Sequence, residues 1–277
     1  MRVAAIQMNS GADVAANLEL AERLLAEAAA DGVEFAVLPE NFAIMGQRGR
    51  DKVAHAEAAG DGPIQTFLAS MSLRHRMWIV AGSMPLASPE EHRVYGACPV
   101  YNAIGEQIAC YRKIHLFDVV LPDVGESYME SRSMYPGDDV VCVDSPIGRI
   151  GLAICYDVRF PELFRRFVDD GATVFTVPAA FTQVTGEAHW HTLLRARAIE
   201  NLAYVIAPGQ YGDHPDERTT YGHSMIVDPW GRILAEQPSG NGFAAADIDA
   251  SLPDKLRAEF PALANRRLSQ HQGQEQD

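Results

Sequence analysis

Short apolar runs alternate with helix-patterned stretches along the first third of this chain, and that order constrains the fold more than any other feature. Val3–Met8 is an apolar run with the length of a buried strand. Ala12–Ala30 is rich in Ala, Leu and Glu, places Leu18, Leu24 and Leu25 on one helix face, and stops at Asp31-Gly32. Phe35–Leu38 is the next strand and ends at Pro39-Glu40. Pro63–Arg76 reads as a helix with proline at its start, and Trp78–Gly82 as a strand. This β-α-β-α-β order belongs to an α/β layered protein. Between these elements, Asn41–Gly60 carries no regular pattern.

The middle changes character. Val94–Ile104 and Gln107–Tyr111 flank Gly105-Glu106 as a β-hairpin. His115–Gly137 is a long stretch with few regular signals, a length that usually marks a functional loop or a disordered one. Val140–Val143 and Ile150–Cys155 are expected strands around the turn Ser145-Pro146-Ile147-Gly148. Pro161–Asp169 is expected to be helical, Thr173–Val177 a strand, Glu187–Asn201 a helix and Tyr204–Ala207 a strand. Met225–Val227, Ile233–Glu236 and Phe243–Ile248 complete the strands, and Pro253–Phe260 is a last short helix. With no linker and no internal repeat, residues 1–268 read as one domain. The tail 269–277, SQHQGQEQD, is polar and expected to be disordered.

Composition narrows the function. The chain has 277 residues, of which 47% are hydrophobic, so a large core is available. Its net charge of −14 argues against nucleic acid or an anionic membrane as a partner. No apolar run is long enough to span a bilayer, and MRVAAIQMNS lacks the apolar region of a signal peptide. The four cysteines, Cys98, Cys110, Cys142 and Cys155, are scattered without a CxxC pair. They read as reduced thiols of a cytoplasmic protein, with no metal site.

One of these thiols sits in a distinctive place. In Ile150–Glu162, IGLAICYDVRFPE, small and apolar residues run into Cys155 and the chain then turns polar. Phe160-Pro161-Glu162 opens a helix. A cysteine between a buried strand and a helix start meets unsatisfied N–H groups that favour thiolate, and the strand-to-helix turn is the geometry of a nucleophile elbow. The competing reading is a small buried hydrophobe.

Two charged residues complete a coherent set. Glu40 follows a strand end, where α/β sheets gather functional groups. Lys113, in YRKIHLFD, follows the second hairpin strand. If the fold brings them to Cys155, a carboxylate whose pKa is raised by burial serves as base for the thiol. A lysine ammonium and the N–H of Tyr156 stabilise the oxyanion of an attacked amide. Read singly, Glu40 could instead cap the following segment, and Lys113 could be a solvated lysine.

Taken together, three ordered segments resemble the nitrilase, or carbon–nitrogen hydrolase, superfamily. They are Val37-Leu38-Pro39-Glu40, Tyr111-Arg112-Lys113-Ile114-His115-Leu116-Phe117, and Cys155-Tyr156-Asp157-Val158-Arg159-Phe160-Pro161-Glu162. The resemblance runs from about Val3 to about Leu268. It implies a four-layer α-β-β-α sandwich that forms a homodimer and needs no cofactor or metal. It also implies Glu40 as general base, Lys113 as transition-state stabiliser and Cys155 as nucleophile. Glu130, shortly before Pro136-Gly137, matches a second family glutamate that positions the lysine and the substrate. One departure is local: many relatives have Asn after the tyrosine of the first hairpin strand, and here Tyr95 is followed by Gly96.

The segments Phe181–Glu200 and Tyr221–Gly231 look most like the branch of deaminated glutathione amidases. These release 2-oxoglutarate and cysteinylglycine from a small-molecule amide. The chain is also similar to ω-amidases, which act on 2-oxoglutaramate. Carbamoyl and nitrile hydrolases share the same three residues. A reading of another class, an interaction protein that kept the fold and lost its chemistry, requires one of the three to be replaced, and none is.

Further residues are candidates with two readings each. Arg159 either binds a substrate carboxylate as a fork or pairs with Glu162. Phe181, Thr182, His189 and Tyr128 are candidate pocket residues, as is Met129; Trp190 reads rather as helix packing. Arg195 and Arg197 are expected to pair with Glu200. His115 reads as structural, and His223 and Asp228 suggest a Cys-His-Asp set that nothing in the sequence places near Cys155.

Overall fold

The apolar runs pair into two sheets. The computed structural model describes residues 1–47, 49–121 and 125–268; the polar tail 269–277 lies outside them. One sheet has seven strands, in the order Gly242–Asp247, Arg2–Gln7, Phe35–Val37, Trp78–Val80, Val94–Tyr101 and Met84–Ala87, with Gln107–Arg112 also paired to Val94–Tyr101. The other has six, in the order Ile233–Gln237, Ser224–Val227, Tyr204–Ala207, Val174–Thr176, Gly148–Leu152 and Cys142–Ser145. The inner strands of each are parallel: Val3 lies opposite Phe35 and Phe35 opposite Trp78, while Ile150 lies opposite Val174 and Val174 opposite Tyr204.

Strand geometry sends successive side chains to opposite faces, and here both faces are buried. Val3, Phe35, Val37 and Val100 enter the core shared with the six-stranded sheet. Ala4, Ala36, Ile79 and Ala97 pack instead with Leu24, Leu25 and Leu68 of the helices Val14–Ala30 and Pro63–His75. The outer face of the six-stranded sheet is covered by Pro161–Asp169 and Gln183–Asn201 through Phe164, Phe167, Trp190 and Leu194. The order of layers is therefore helix, sheet, sheet, helix.

Most expected elements are present with shifted ends, set by caps that weak end signals did not reveal. The first helix begins at Val14 because the Asp13 side chain accepts from the Ala16 N–H. Gln183–Asn201 starts four residues earlier than expected, behind Thr182, whose side chain accepts from Thr185 N. Asn41–Gly60 is not wholly irregular: it contains the short helix Gly49–Ala54. His115–Gly137 holds a two-stranded hairpin, Asp118–Leu121 with Glu126–Met129, and a 3₁₀ turn at Glu130–Arg132. Met84–Ala87 and the pair Tyr211–Asp213 and Thr219–Tyr221 are further strands without an apolar run long enough to announce them. Among the described residues no helix is long and apolar enough to cross a membrane.

Candidate active site

Cys155 lies beyond its strand rather than in it. The strand ends at Leu152, and Cys155 opens a 3₁₀ turn, Cys155–Arg159, that leads into Pro161–Asp169. Its φ of 49° is left-handed, a conformation that costs an L residue about 1–2 kcal/mol. Two sets of bonds hold it. The Cys155 N–H donates to Pro178 O at 2.8 Å. Asp157, fully buried, reaches back to accept from Ile154 N at 2.8 Å, the second half of a capping box. The same carboxylate accepts from Tyr111 Oη at 2.7 Å and from His115 N at 3.1 Å, with His115 Nδ1 at 2.7 Å. Asp157 thus ties the Cys155 turn to both sides of Lys113. His115 is structural, stacked on Phe160 with ring centroids 3.7 Å apart.

Glu40 follows the strand Phe35–Val37 by three residues and is 4% exposed. Its carbonyl accepts from Gln210 Nε2 at 3.0 Å, and Oε2 accepts from Ala180 N at 2.9 Å. The backbone behind it is closely packed: Gly82, at φ 65°, stands where a Cβ would run into the Pro39 and Leu38 carbonyls. Lys113 directly follows the strand Gln107–Arg112 and is 1% exposed, so it is no solvated lysine. Its Nζ donates to Glu40 Oε1 at 2.7 Å and to both oxygens of Glu130 at 2.9 Å. Glu130 Oε2 also accepts from Phe117 N at 2.6 Å. At the departure noted above, Gly96 O accepts from Lys113 N at 3.0 Å, so the strand bond that seats the lysine is made without a side chain at 96.

Glu40 and Lys113 come from the seven-stranded sheet and Cys155 from the six-stranded one. They meet where the parallel strands of both sheets end. The Cys155 thiol and the Glu40 carboxylate border the same cavity and act on each other's protonation. Burial pushes the thiol well above its usual pKa, the Glu40 charge pushes the same way, and Lys113 with the Ala180 N–H recovers only part. Burial also works to raise the pKa of Glu40, but the charge and hydrogen bond of Lys113 outweigh it and hold this carboxyl below its ordinary value. Loss of water opposes the Lys113 charge too, yet Glu130 and Glu40 keep it well above the usual lysine value. The resting state is therefore thiol, carboxylate and ammonium. Two expectations are corrected: the turn N–H groups do not yield a standing thiolate, and burial does not on balance raise the pKa of Glu40.

A cavity of about 220 Å³ opens on this group, bordered by Glu40, Lys52, Lys113, Glu130, Cys155 and Arg218. Tyr128 and Met129 also line it. A recess of about 10 Å³, which shares Phe117, Cys155 and Ala180 with this cavity, is also lined by Tyr156, Arg159, Phe181 and Thr182. Tyr156 follows Cys155 at the head of a 3₁₀ turn, where the first N–H groups have no partner within the turn. Arg159 pairs with no Glu162 among the described residues; its guanidinium lies 5.2 Å from the Phe181 ring centre and 3.3 Å from His189 Nδ1. His189 lines neither space. Thr182 serves as helix cap as well as recess wall. Trp190 is 1% exposed and packs on Phe181. Arg197 pairs with Glu200, whereas Arg195 donates to Gly231 O. His223 and Asp228 line neither space; Asp228 accepts from Trp230 N and Arg232 N in a turn.

Sequence reasoning missed Asp157, Ala180, Lys52 and Arg218. Asp157 alone left a signal, an acid two residues after a cysteine at the head of a helical turn. As for metals, among the described residues His191, His223 and Glu236 have ligand atoms within 4.8 Å of one another. Glu236 Oε1 already accepts from His191 at 2.9 Å and His223 at 2.5 Å, and none of the three lines either space at Cys155.

The likeness to known proteins covers nearly the whole chain. The carbon–nitrogen hydrolase family model matches residues 2–258. A deaminated glutathione amidase of Synechocystis sp. is 43% identical over 266 residues, covering 95% of this chain and 97% of that protein. The one of Homo sapiens is 37% identical, covering 96% and 82%. Among solved structures, the NitFhit protein of C. elegans has a TM-score of 0.90 at 38% identity, covering 96% of this chain and 65% of that one. Nit3 of Saccharomyces cerevisiae, a nitrilase superfamily member, has a TM-score of 0.86 at 30% identity, covering 97% of each. On this likeness and on its four-layer fold, the chain belongs to the carbon–nitrogen hydrolase family, as an amidase of the nitrilase superfamily.

Proposed function

We propose that residues 1–268 form one amidase unit that hydrolyses deaminated glutathione to 2-oxoglutarate and cysteinylglycine, with Cys155 as nucleophile. The observation that carries the reading is the buried Glu40–Lys113–Glu130 chain of hydrogen bonds beside a thiol, open to one polar cavity. The names of the relatives supply the substrate.

The chemistry runs in two halves. Glu40 takes the Cys155 proton as Sγ attacks the amide carbonyl, so no free thiolate accumulates. The oxyanion is met by Lys113 Nζ and the Tyr156 N–H. The C–N bond breaks as Glu40 returns the proton to the leaving amine, and a thioester remains. Water then attacks the thioester carbonyl and gives its proton to Glu40. The C–S bond breaks, the acid leaves, and the proton returns to sulfur. Glu130 holds Lys113 in place through both halves. Arg159 is the candidate for a substrate carboxylate in the acyl half, with Phe181 and Thr182 beside it, His189 steadying Arg159 and Tyr128 shaping the entrance.

The test is hydrolysis of deaminated glutathione and 2-oxoglutaramate side by side, with Cys155→Ala as control. Faster turnover of deaminated glutathione, abolished in the variant, is expected. Preference for 2-oxoglutaramate moves the substrate to that of an ω-amidase and keeps the mechanism. Turnover of neither refutes both substrates, and a protein inert to carbamoyl amides and nitriles as well is a silent interaction protein. Activity that survives in Cys155→Ala refutes the mechanism.

We also propose a homodimer. Ile199, Trp230 and Phe260 are 48%, 51% and 53% exposed, and Trp230 and Phe260 stack edge to face beside the helix Gln183–Asn201. Such apolar groups together mark a contact surface. Light scattering is expected to give twice the chain mass, and Trp230→Asp to reduce it to one. The cytoplasm is the proposed location, since four unpaired thiols suit a reducing compartment; cell fractionation tests it.

A further inference from the structure

The polar cavity contains two cations that the chemistry at Cys155 does not use. Lys113 is committed to Glu40 and Glu130. Beyond that trio the cavity wall carries Lys52 and Arg218 against one carboxylate, Asp216. Among the described residues Lys52 makes no ion pair. Arg218 approaches Asp216 only at 3.5 Å, and its buried Nε has no hydrogen-bond partner among those residues. Glu217 borders the outer mouth and does not line the cavity itself. The lining balances three cations, Lys52, Lys113 and Arg218, with three carboxylates, Glu40, Glu130 and Asp216, and burial lowers the pKa of Lys52 while the nearby charges of Glu130 and Glu40 oppose that. Among the described residues, however, neither the Lys52 ammonium nor the Arg218 guanidinium donates a hydrogen bond to a side chain, so the donors of both are open to a carboxylate that enters the cavity.

Its place in the substrate follows from proton transfer. The leaving nitrogen takes its proton from Glu40, so it lies within hydrogen-bond reach of that carboxylate. Glu40 borders this cavity and not the small recess that holds Arg159. The leaving half of the substrate therefore occupies the cavity. Ammonia, the size of a water molecule, needs about 10–15 Å³ of such space. The cavity offers about 220 Å³ and has Lys52 and Arg218 in its lining.

We propose that Lys52 and Arg218 form a subsite for a carboxylate carried by the amine leaving group, so that the enzyme selects amides whose leaving amine ends in an acid. The inference rests on the amidase reading given above. For deaminated glutathione the bound group is the glycine carboxylate. For 2-oxoglutaramate the subsite stays unused, because the leaving group is ammonia.

The test compares deaminated glutathione with its C-terminal amide. Calorimetric binding to Cys155→Ala is expected to favour the acid by about 10- to 100-fold, the range for one charge-assisted hydrogen-bonded contact. Adding Lys52→Met or Arg218→Gln is expected to shrink that preference to within about threefold. In the active enzyme either substitution alone raises KM for deaminated glutathione and leaves kcat/KM for 2-oxoglutaramate within twofold. Equal affinity for acid and amide, or binding of neither, overturns the subsite. An equal loss on both substrates also overturns it, since Lys52 then supports the Glu40–Lys113–Glu130 trio or the acyl carboxylate instead. A wild-type enzyme that binds the acid selectively but does not hydrolyse it refutes the substrate reading and leaves the subsite standing.

Discussion

Asp157 is the residue whose loss the structure predicts most fully. Its carboxylate is completely buried and accepts from Tyr111 Oη and Ile154 N on one oxygen and from His115 N on the other, with His115 Nδ1 also on the second. Asparagine keeps the shape but offers a single acceptor oxygen. If its amide faces Tyr111, the hydroxyl turns to accept and Ile154 N–H is stranded. If it faces His115, the His115 backbone N–H is stranded. Either way one buried N–H loses its acceptor, which costs about 1–3 kcal/mol, and the remaining bonds lose the strengthening of a charged acceptor. The sum is about 2–4 kcal/mol, or a Tm lower by roughly 4–10 °C for a chain of this size. Asp157→Ala strands all the donors and is expected to cost more. Because the Ile154 bond also holds the left-handed turn at Cys155, a displacement of about 1 Å there lowers kcat by about 10²-fold in protein that remains folded. Thermal scans at one fixed rate and initial rates below Tm check both. A Tm within about 1 °C of wild type, or full kcat in Asp157→Asn, refutes the account of how the turn is held.

Three further outcomes are expected. With Glu40 as the proposed base, its lowered pKa leaves kcat/KM present above that value and lost as pH falls through it, below 4.5; with the thiol raised well above 9.0, no second limb is expected between pH 6 and 9. A limb near 8.5, or faster alkylation of Cys155 than of free cysteine at pH 7, refutes the thiol–carboxylate resting state. Lys113→Met removes the countercharge that offsets burial of Glu40, so the base becomes protonated and the oxyanion donor is gone; kcat/KM is expected to fall by about 10³-fold or more, with loss of stability, and a fall under tenfold refutes its place at the reaction centre. Gly82→Ala drives a Cβ into the Pro39 and Leu38 carbonyls behind Glu40, whereas at Gly60, also with φ positive, a Cβ meets nothing within 4 Å. The melt is therefore expected to fall much further for Gly82→Ala than for Gly60→Ala, and equal shifts refute the close packing behind the base.

The layered fold was legible because strand and helix periods are local properties. A run such as Val3–Met8 or a face such as Leu18, Leu24 and Leu25 reports its burial without knowledge of its neighbours. Glu40, Lys113 and Cys155 were legible for a related reason: each stands at an element's end, where the change from apolar to polar is written in the chain. The helix that carries Lys52 was not, because six residues are too few to show a period. Arg218, in the turn of a short hairpin, was hidden likewise.

By itself the sequence determined the α/β alternation, the order of the three chemical groups and a turn at Cys155. Only the tertiary structure decided that Glu40 and Lys113 from one sheet meet Cys155 from the other, 73 residues before Lys113 and 42 after it notwithstanding. It also decided how their protons are distributed, since burial raises the thiol and the carboxylate alike and the Lys113 charge at 2.7 Å reverses the balance for Glu40 alone. The physical reason is range: side-chain period and turn chemistry act over a few residues along the chain, whereas desolvation and charge act through space, and their size is set by what the packed fold removes from water.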